Sequence, residues 1–493
     1  MKPVVCRLGR TKPGTETRNQ EQIETQQHKP NLHKPQTEHN PTKTQVNPIT
    51  KENAQQKPKI ANRSTLGIAV AFIARVAGTG LAFLFSVMLA RLLGTSDTGV
   101  FFLALTIVTI GATVARLGLD NAVLRFASVA HVQNNKPTMA ALYRQAIGMV
   151  IISGIVLTLL IKIIMPYLTL GQDKATELQT IMPVMLIALT PVALIMLQGE
   201  FFKSIQAPGL ATVLQTVLSP LIMVAGLSIF FLLENTNVQD IALLFSIASI
   251  VTVILGIIVW ALKMPGLLQQ KGHFNNRHLL QTSLPLLWVA SMNLLMNWTD
   301  ILVLGAWTNS ATVGVYGVAT RVAGLTIFVL VAVNSVTAPQ FSALHAENKH
   351  RELEQLAQKS AFWMLLAVLP IILILLIYPE WVLGLFGSDF KQGATILRIL
   401  AIGQLVNVTM GSVGYLLMMT GHERLMRNNI IFSAMVNLLG NLLLVPTYGA
   451  IGAAISTAFS LSLMNIISYT LVNKKLKINT LGYLFRADTC NSQ

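Results

Sequence analysis

From Leu66 onward the chain alternates between long apolar runs and short polar joints. The hydrocarbon layer of a bilayer is about 30 Å thick, and a helix needs about 20 apolar residues to cross it. Runs of that kind centre on residues 66–92, 99–118, 140–165, 181–202, 210–233, 239–262, 280–305, 313–337, 361–383, 393–418, 427–445 and 449–472. They are long and continuous rather than ten-residue alternations, which predicts helices and not barrel strands. The expectation is an all-α polytopic membrane protein with twelve transmembrane helices. Residues 1–65 break the pattern: they lack Phe, Trp and Tyr and are rich in Gln, Lys, Thr, Asn and Pro. Such a segment buries too little apolar surface to offset its ordering entropy, so it reads as a disordered basic tail. Residues 481–493 read as a second, C-terminal tail. Residues 341–360, where apolar and charged positions mix, read as a short amphipathic helix joining spans eight and nine.

Composition agrees with this reading. Hydrophobic residues make up 53% of the chain and charged residues 11%, against roughly 25% charged in soluble proteins. The net charge of +16 raises the question of a nucleic-acid partner, but its distribution answers otherwise. With the tail placed in the cytoplasm, the inward joints and the C-terminal segment carry sixteen Lys and Arg, among them Arg125, Lys136, Arg144, Lys263, Arg351 and Lys475. The outward joints carry two, Lys174 and Lys391. That bias is the positive-inside pattern, and it predicts a multi-pass protein of the inner (plasma) membrane with both termini cytoplasmic. The basic residues are scattered over loops without an aromatic stacking platform, which argues against nucleic acid. Cys6 and Cys490 are the two cysteines, too few for a disulfide framework or a zinc site, and no metal ligand set is expected.

The chain also repeats itself. Gly99-Val100-Phe101 opens the second run and Gly314-Val315-Tyr316 opens the eighth; Gln206-Ala207-Pro208 and Gly421-His422-Glu423 share that offset of 215 positions. Two halves that begin on the same side of the membrane are related by a pseudo-twofold along the membrane normal, as in parallel-repeat transporters. The expected lobes are residues 66–265 and 266–480, with six helices each.

Candidate chemistry is binding and gating rather than catalysis. No G-x-x-x-x-G-K-[ST], H-E-x-x-H or G-x-S-x-G run occurs, so no catalytic residue is assigned and the protein is not expected to be an enzyme. Ionisable groups inside spans are costly and point to function. Arg75 lies about 14 Å into the first span at 1.5 Å per residue, where a guanidinium could line a cavity and offer paired donors to phosphate. Asp300 and Arg321 fall at matching depth on adjacent spans. They read either as a buried ion pair or as a working couple, with Arg321 on substrate phosphate and Asp300 taking up H+ or Na+; protonating Asp300 would then free the arginine. Arg116 and Asn297 are further candidates for the cavity, and Glu200 for ion coupling, although interfacial placement also explains Arg116, Asp120 and Glu200. Asn437 and Asn441 could meet sugars or bond helix to helix. Arg91 reads as a structural residue of the first outer turn. No cofactor is expected beyond the coupling ion.

Several of these residues fall in ordered motifs. Leu89-Ala90-Arg91-Leu92-Leu93-Gly94 is followed by Gly99-Val100-Phe101. Pro285, Asp300, Leu304-Gly305, Gly314-Val315-Tyr316 and Arg321 come next, then Asn437, Asn441, Pro446, Gly449 and Gly452-Ala453-Ala454-Ile455-Ser456-Thr457. Over about residues 66–475 the chain resembles the polysaccharide-transporter and O-antigen flippase family of the multidrug/oligosaccharidyl-lipid/polysaccharide exporter superfamily. The resemblance implies a two-lobe fold like that of the multidrug exporters. It also implies a flippase that moves an isoprenoid-diphosphate-linked oligosaccharide from the inner to the outer leaflet, with glycan polymerase machinery as a candidate partner. The alternatives are an ion-coupled multidrug exporter of the same superfamily and, remotely, a membrane glycan polymerase or ligase.

Overall fold

The computed structural model describes residues 57–165, 172–233 and 237–482, in which all regular structure is helical. Of the tails expected at residues 1–65 and 481–493, residues 1–56 and 483–493 lie outside the described residues. In chain order the helices are α1 (Lys57–Ala115), α2 (Leu119–Val132), α3 (Lys136–Ile164), α4 (Gln172–Ile187), α5 (Leu189–Ser204), α6 (Pro208–Thr212), α7 (Leu218–Leu233), α8 (Val238–Lys263), α9 (Asn276–Trp307), α10 (Ser310–Gly324), α11 (Ile327–Ala346), α12 (His350–Ile377), α13 (Pro379–Gly384), α14 (Ala394–Met410), α15 (Val413–Met419) and α16 (Glu423–Leu476). Nine helical stretches among the described residues are long and apolar enough to cross a membrane.

Two of those stretches are hairpins. In α1 the backbone leaves helical geometry at Gly94, at φ 70°. Phe85 and Phe101 then meet edge to face with ring centroids 6.1 Å apart, whereas sixteen residues of straight helix would separate them by about 24 Å. In α16 the break is Gly449, at φ 54°. Both positions need the positive φ that glycine adopts without a Cβ clash. The two limbs of α16 are tied by buried amides and hydroxyls: Asn429 donates to Ser468 Oγ at 2.8 Å, and Asn437 to Ser460 Oγ at 3.2 Å. Hydrogen bonds between limbs give Asn a partner where lipid offers none.

The packing is inverted relative to a soluble protein. α3 exposes Ile152, Ile155, Val156, Leu159 and Ile163, a helical stripe of large aliphatic side chains. It buries Ala140, Ala141, Ala146, Val150 and Gly154 against its neighbours. Small residues let backbones approach closely, which is how helices associate where lipid removes the hydrophobic drive. The closest approach joins α1 to α10. A Cβ on Gly99 would overlap the Ser310 carbonyl oxygen, and one on Gly314 would overlap that of Thr95. The two glycines that mark the sequence repeat therefore pack against each other. Nearby, Arg91 Nε donates to the Leu385 carbonyl at 2.8 Å and Phe83 meets Phe386 edge to face at 5.5 Å. Arg91 thus ties the first hairpin to a segment of the second half of the chain, beyond the local turn expected of it.

Two boundaries differ from expectation. α1 begins at Lys57, so residues 57–65 are helix rather than tail. No separate amphipathic helix spans 341–360: α11 runs to Ala346 and α12 starts at His350, with Asn348 at φ 55° between them. The mixed pattern there is the sum of two helix ends meeting at a left-handed turn.

Candidate functional site

Arg321 sits on α10 beside a cavity of about 330 Å³ lined by Thr79, Phe83 and Ser86 of α1 together with Leu105, Leu325 and Phe328. Its guanidinium carbon lies 3.5 Å from the centroid of the Phe102 ring, and Nη1 donates to the Gly317 carbonyl at 2.9 Å. A Cβ at position 317 would crowd both Phe102 and Arg321 Nη1, so Gly317 makes room for the stack. A desolvated cation over an aromatic face gains about 2 kcal/mol, which helps hold a charge where water is scarce. The guanidinium has five donor hydrogens in a planar fork, and one of its nitrogens is engaged by Gly317. The hydroxyls of Thr79 and Ser86 donate to the carbonyls of Arg75 and Ala82 at 3.0 and 2.8 Å, leaving their oxygens as acceptors. Arg321 is the one charged side chain in the described lining. The site can therefore receive an anion next to aromatic and aliphatic walls.

Asp300 occupies different surroundings. The residue is 4% exposed, and its carboxylate accepts from Tyr316 Oη at 2.7 Å, Thr457 Oγ1 at 2.6 Å and Asn441 Nδ2 at 2.7 Å. Asn441 Nδ2 also reaches the Asn437 carbonyl at 2.9 Å, while Asn441 Oδ1 is buried without a partner. The cluster joins α9, α10 and both limbs of α16. It holds an acid, two hydroxyls and amide oxygens, a set of hard oxygen donors suited to a proton or an alkali cation.

The Asp300–Arg321 ion pair, one of the two readings open in the sequence, does not form. Tyr316 and Arg321 are five residues apart on α10, about 140° around the helix. One side chain thus meets Asp300 while the other meets Phe102 and the cavity. Matching depth could not reveal that difference in direction. It also removes the expected device in which protonating Asp300 directly releases the arginine.

The other candidates are dispersed. Arg75 is exposed and one turn before Thr79 on the same stripe of α1, outside the described lining of the cavity. Arg116 contacts Asp120 Oδ2 at 3.3 Å and donates to Thr113 Oγ1 at 2.9 Å, so its guanidinium is engaged locally rather than in the cavity. Glu200 pairs with Lys203 at 2.6 Å and accepts from Gln215 at 3.4 Å. Gln215 lies in a π-helical turn at Val213–Val217 and fills the space left by the missing side chain of Gly199. An i,i+3 partner gives Glu200 the local structural use that interfacial placement also predicts. The side chain of Asn297 lies outside the described residues. Three functional neighbours carried no assigned role in the sequence: Phe102, Tyr316 and Thr457. The last two stand inside the motifs around Gly314 and Gly452, which was the available signal.

Comparison with known proteins sets this geometry in context. A family model described as polysaccharide biosynthesis protein matches residues 64–345. The chain belongs to that family. A second model, MatE, matches residues 285–443 of this polysaccharide biosynthesis family member. The chain is 28% identical over 400 residues to a probable low-salt glycan biosynthesis flippase, Agl15, of Haloferax volcanii, covering 80% of each sequence. Its fold is similar to the inward-facing conformation of a multidrug resistance MATE family transporter of the MOP superfamily, with TM-score 0.69, 14% identity, and coverage of 84% of this chain and 99% of that one. It is also similar to the lipid II flippase MurJ in an inward closed conformation, with TM-score 0.65, 13% identity, and coverage of 87% and 94%. The all-helical membrane fold and the polysaccharide family expected from the motifs are thus those of the molecule, a multi-pass membrane protein.

Proposed function

We propose that the protein is a flippase for an isoprenoid-diphosphate-linked oligosaccharide, carrying it from the inner to the outer leaflet by alternating access. The observation that carries this reading is the Arg321 cavity, a single guanidinium fork set among apolar walls. A diphosphate crossing hydrocarbon alone would meet a prohibitive desolvation cost. Arg321 offsets that cost with charge-assisted bonds, while the polyprenyl tail stays in lipid beside α1 and α10. Counting each hairpin as two crossings and adding α9 gives twelve crossings in lobes 66–265 and 266–480, with both termini cytoplasmic. Arg75, one turn along the α1 stripe from Thr79, receives the headgroup before Arg321 does.

The Asp300 cluster is the coupling site in this scheme. Uptake of H+ or Na+ changes the bonds that Tyr316 and Thr457 make to the carboxylate. α10 carries both Tyr316 and Arg321, so a shift of this helix transmits the change to the cavity through a rigid element rather than through a broken ion pair.

The test is translocation of a labelled polyprenyl-diphosphate oligosaccharide in vesicles containing the purified protein. Wild type should move the lipid and Arg321→Ala should not, with equal incorporation of both. Failure of wild type, or full activity of the variant, overturns the reading. The match to the MatE model supports a second reading, an ion-coupled drug exporter. Efflux of cationic dyes from the same vesicles, without lipid movement, would favour it.

A further inference from the structure

Four helix termini meet at one end of the second half of the chain: the end of α11, the start of α12, the turn before α16 and the end of α16. They enclose a recess of about 550 Å³ lined by His345, His350, Arg351, Glu354, His422, Lys475 and Lys477 among others. We propose that this recess is a binding site for a phosphate-bearing anion, separate from the Arg321 cavity.

The charge balance points that way. Arg351, Lys475 and Lys477 bring three fixed positive charges and Glu354 one negative, which leaves two positive charges to be met. None of the three cations joins an ion pair among the described residues. Glu354 is already committed, since its Oε1 accepts from the Asn479 amide at 3.3 Å and from Gln358 Nε2 at 3.4 Å. The imidazoles add further hydrogen-bonding nitrogens. His345 Nδ1 is buried with no partner, whereas His422 Nδ1 is 3.2 Å from Thr420 Oγ1.

The wall of the recess is built rather than incidental. Asn479 anchors it, with its carbonyl accepting from Gln358 at 2.8 Å and its Oδ1 from Tyr469 at 2.9 Å. Thr480 donates to the Met410 carbonyl at 3.2 Å. Lys477, at the head of this segment, adopts φ 55°, a left-handed conformation uncommon for lysine that the anchored wall sustains. Arg351 lies in the first turn of α12, where backbone amides lack intrahelical acceptors. No group of three His, Cys, Asp or Glu stands at metal-binding spacing among the described residues, so an anion fits the recess better than a metal ion. A planar guanidinium with two ammonium groups suits the oxygens of a phosphate or diphosphate.

The anion could be the headgroup of an acidic phospholipid or a free phosphate compound, and two binding measurements separate these sources. The full chain is placed in phosphatidylcholine nanodiscs as wild type, as the triple variant Arg351→Gln/Lys475→Gln/Lys477→Gln, and as Arg321→Gln. Inorganic pyrophosphate is titrated calorimetrically in one arm. In the other, retention of phosphatidylglycerol is counted by native mass spectrometry. The triple variant should lose at least tenfold in affinity at the recess in one arm, while Arg321→Gln keeps the recess site and loses only what binds in the transport cavity. Loss in the pyrophosphate arm identifies a soluble ligand, and loss in the lipid arm a headgroup. The exposed positions of Arg351, Lys475 and Lys477 leave the fold intact, which an unchanged melting temperature verifies. If neither ligand binds, or if the triple variant binds both as wild type does, the proposal fails. Because Arg321→Gln reports on the transport cavity, that reading and this one can fail independently.

Discussion

Asp300 and Arg321 lie on consecutive helices and carry opposite charges, yet they are held in contrasting ways. The acid is sealed, 4% exposed and surrounded by Tyr316, Thr457 and Asn441. The base rests on Phe102 and keeps part of its fork toward a cavity. Had the two joined, each would have neutralised the other and no charge would remain for a guest. Kept apart, one presents oxygens and the other nitrogen-bound hydrogens, so a single pair of helices carries an acid on one side and a base on the other, as the proposed coupling and transport sites require.

The sharpest way to break this comparison is Arg321→Ala, which should lower lipid translocation at least about 100-fold, in line with a lost charge-assisted anion contact in a low-dielectric site. Its melting temperature should fall only as far as the loss of a contact worth about 2 kcal/mol implies. Arg321→Lys keeps the charge but not the fork and should fall between the two in the same vesicle assay. Next in size is Asp300→Ala. Removing the acceptor leaves the Tyr316, Thr457 and Asn441 donors buried, at about 1–3 kcal/mol for each one left unsatisfied, a loss that thermal unfolding in detergent should register. Asp300→Asn keeps the shape, so it should retain most of the stability while abolishing dependence on an ion gradient. Persistent gradient dependence would remove Asp300 from coupling. The seam between the halves offers a third test. Gly99→Val should destabilise by about 1–3 kcal/mol through overpacking. Gly80→Ala, whose Cβ meets nothing within 4 Å, should stabilise slightly, by about 0.5–1 kcal/mol. Tyr316→Phe removes one hydrogen bond to the acid and should cost about 1 kcal/mol, with a modest change in ion dependence. Arg116→Gln should be the mildest, leaving translocation within about twofold, since that side chain is engaged by Asp120 and Thr113 outside the cavity.

Much of the architecture was legible because membrane helices announce themselves by length and hydrophobicity. The runs around α3, α8 and α12 needed little more than counting. The separate spans expected at 66–92 and 99–118, and at 427–445 and 449–472, placed a turn near Gly94 and Gly449, but that one positive-φ residue suffices for each turn was not legible. The joint at residues 347–349 misled for a related reason. Two helix ends, read as one segment, mimic an amphipathic helix. At the site, charge in an apolar run singled out Asp300 and Arg321, since ionisable groups in lipid are rarely idle. What stayed hidden was rotation about the helix axis. Depth follows from residue count, whereas direction depends on packing. A five-residue spacing on α10 was enough to send Tyr316 and Arg321 to different neighbours. Phe102 was invisible because an aromatic in a greasy run gives no hint that it carries a cation. Asn437 and Asn441 were open to either use, and the structure spends them on hydrogen bonds between helices.

The rungs that Asn429 and Asn437 make across the folded α16 have a mechanical consequence. With its two limbs cross-braced inside the hydrocarbon, this hairpin cannot splay or slide without stranding polar atoms in oil. It must travel as one plank. Any rocking of the second half then has to occur at its borders, and Asn441, gripping Asp300 from that plank, makes the acid a rivet between it and α9.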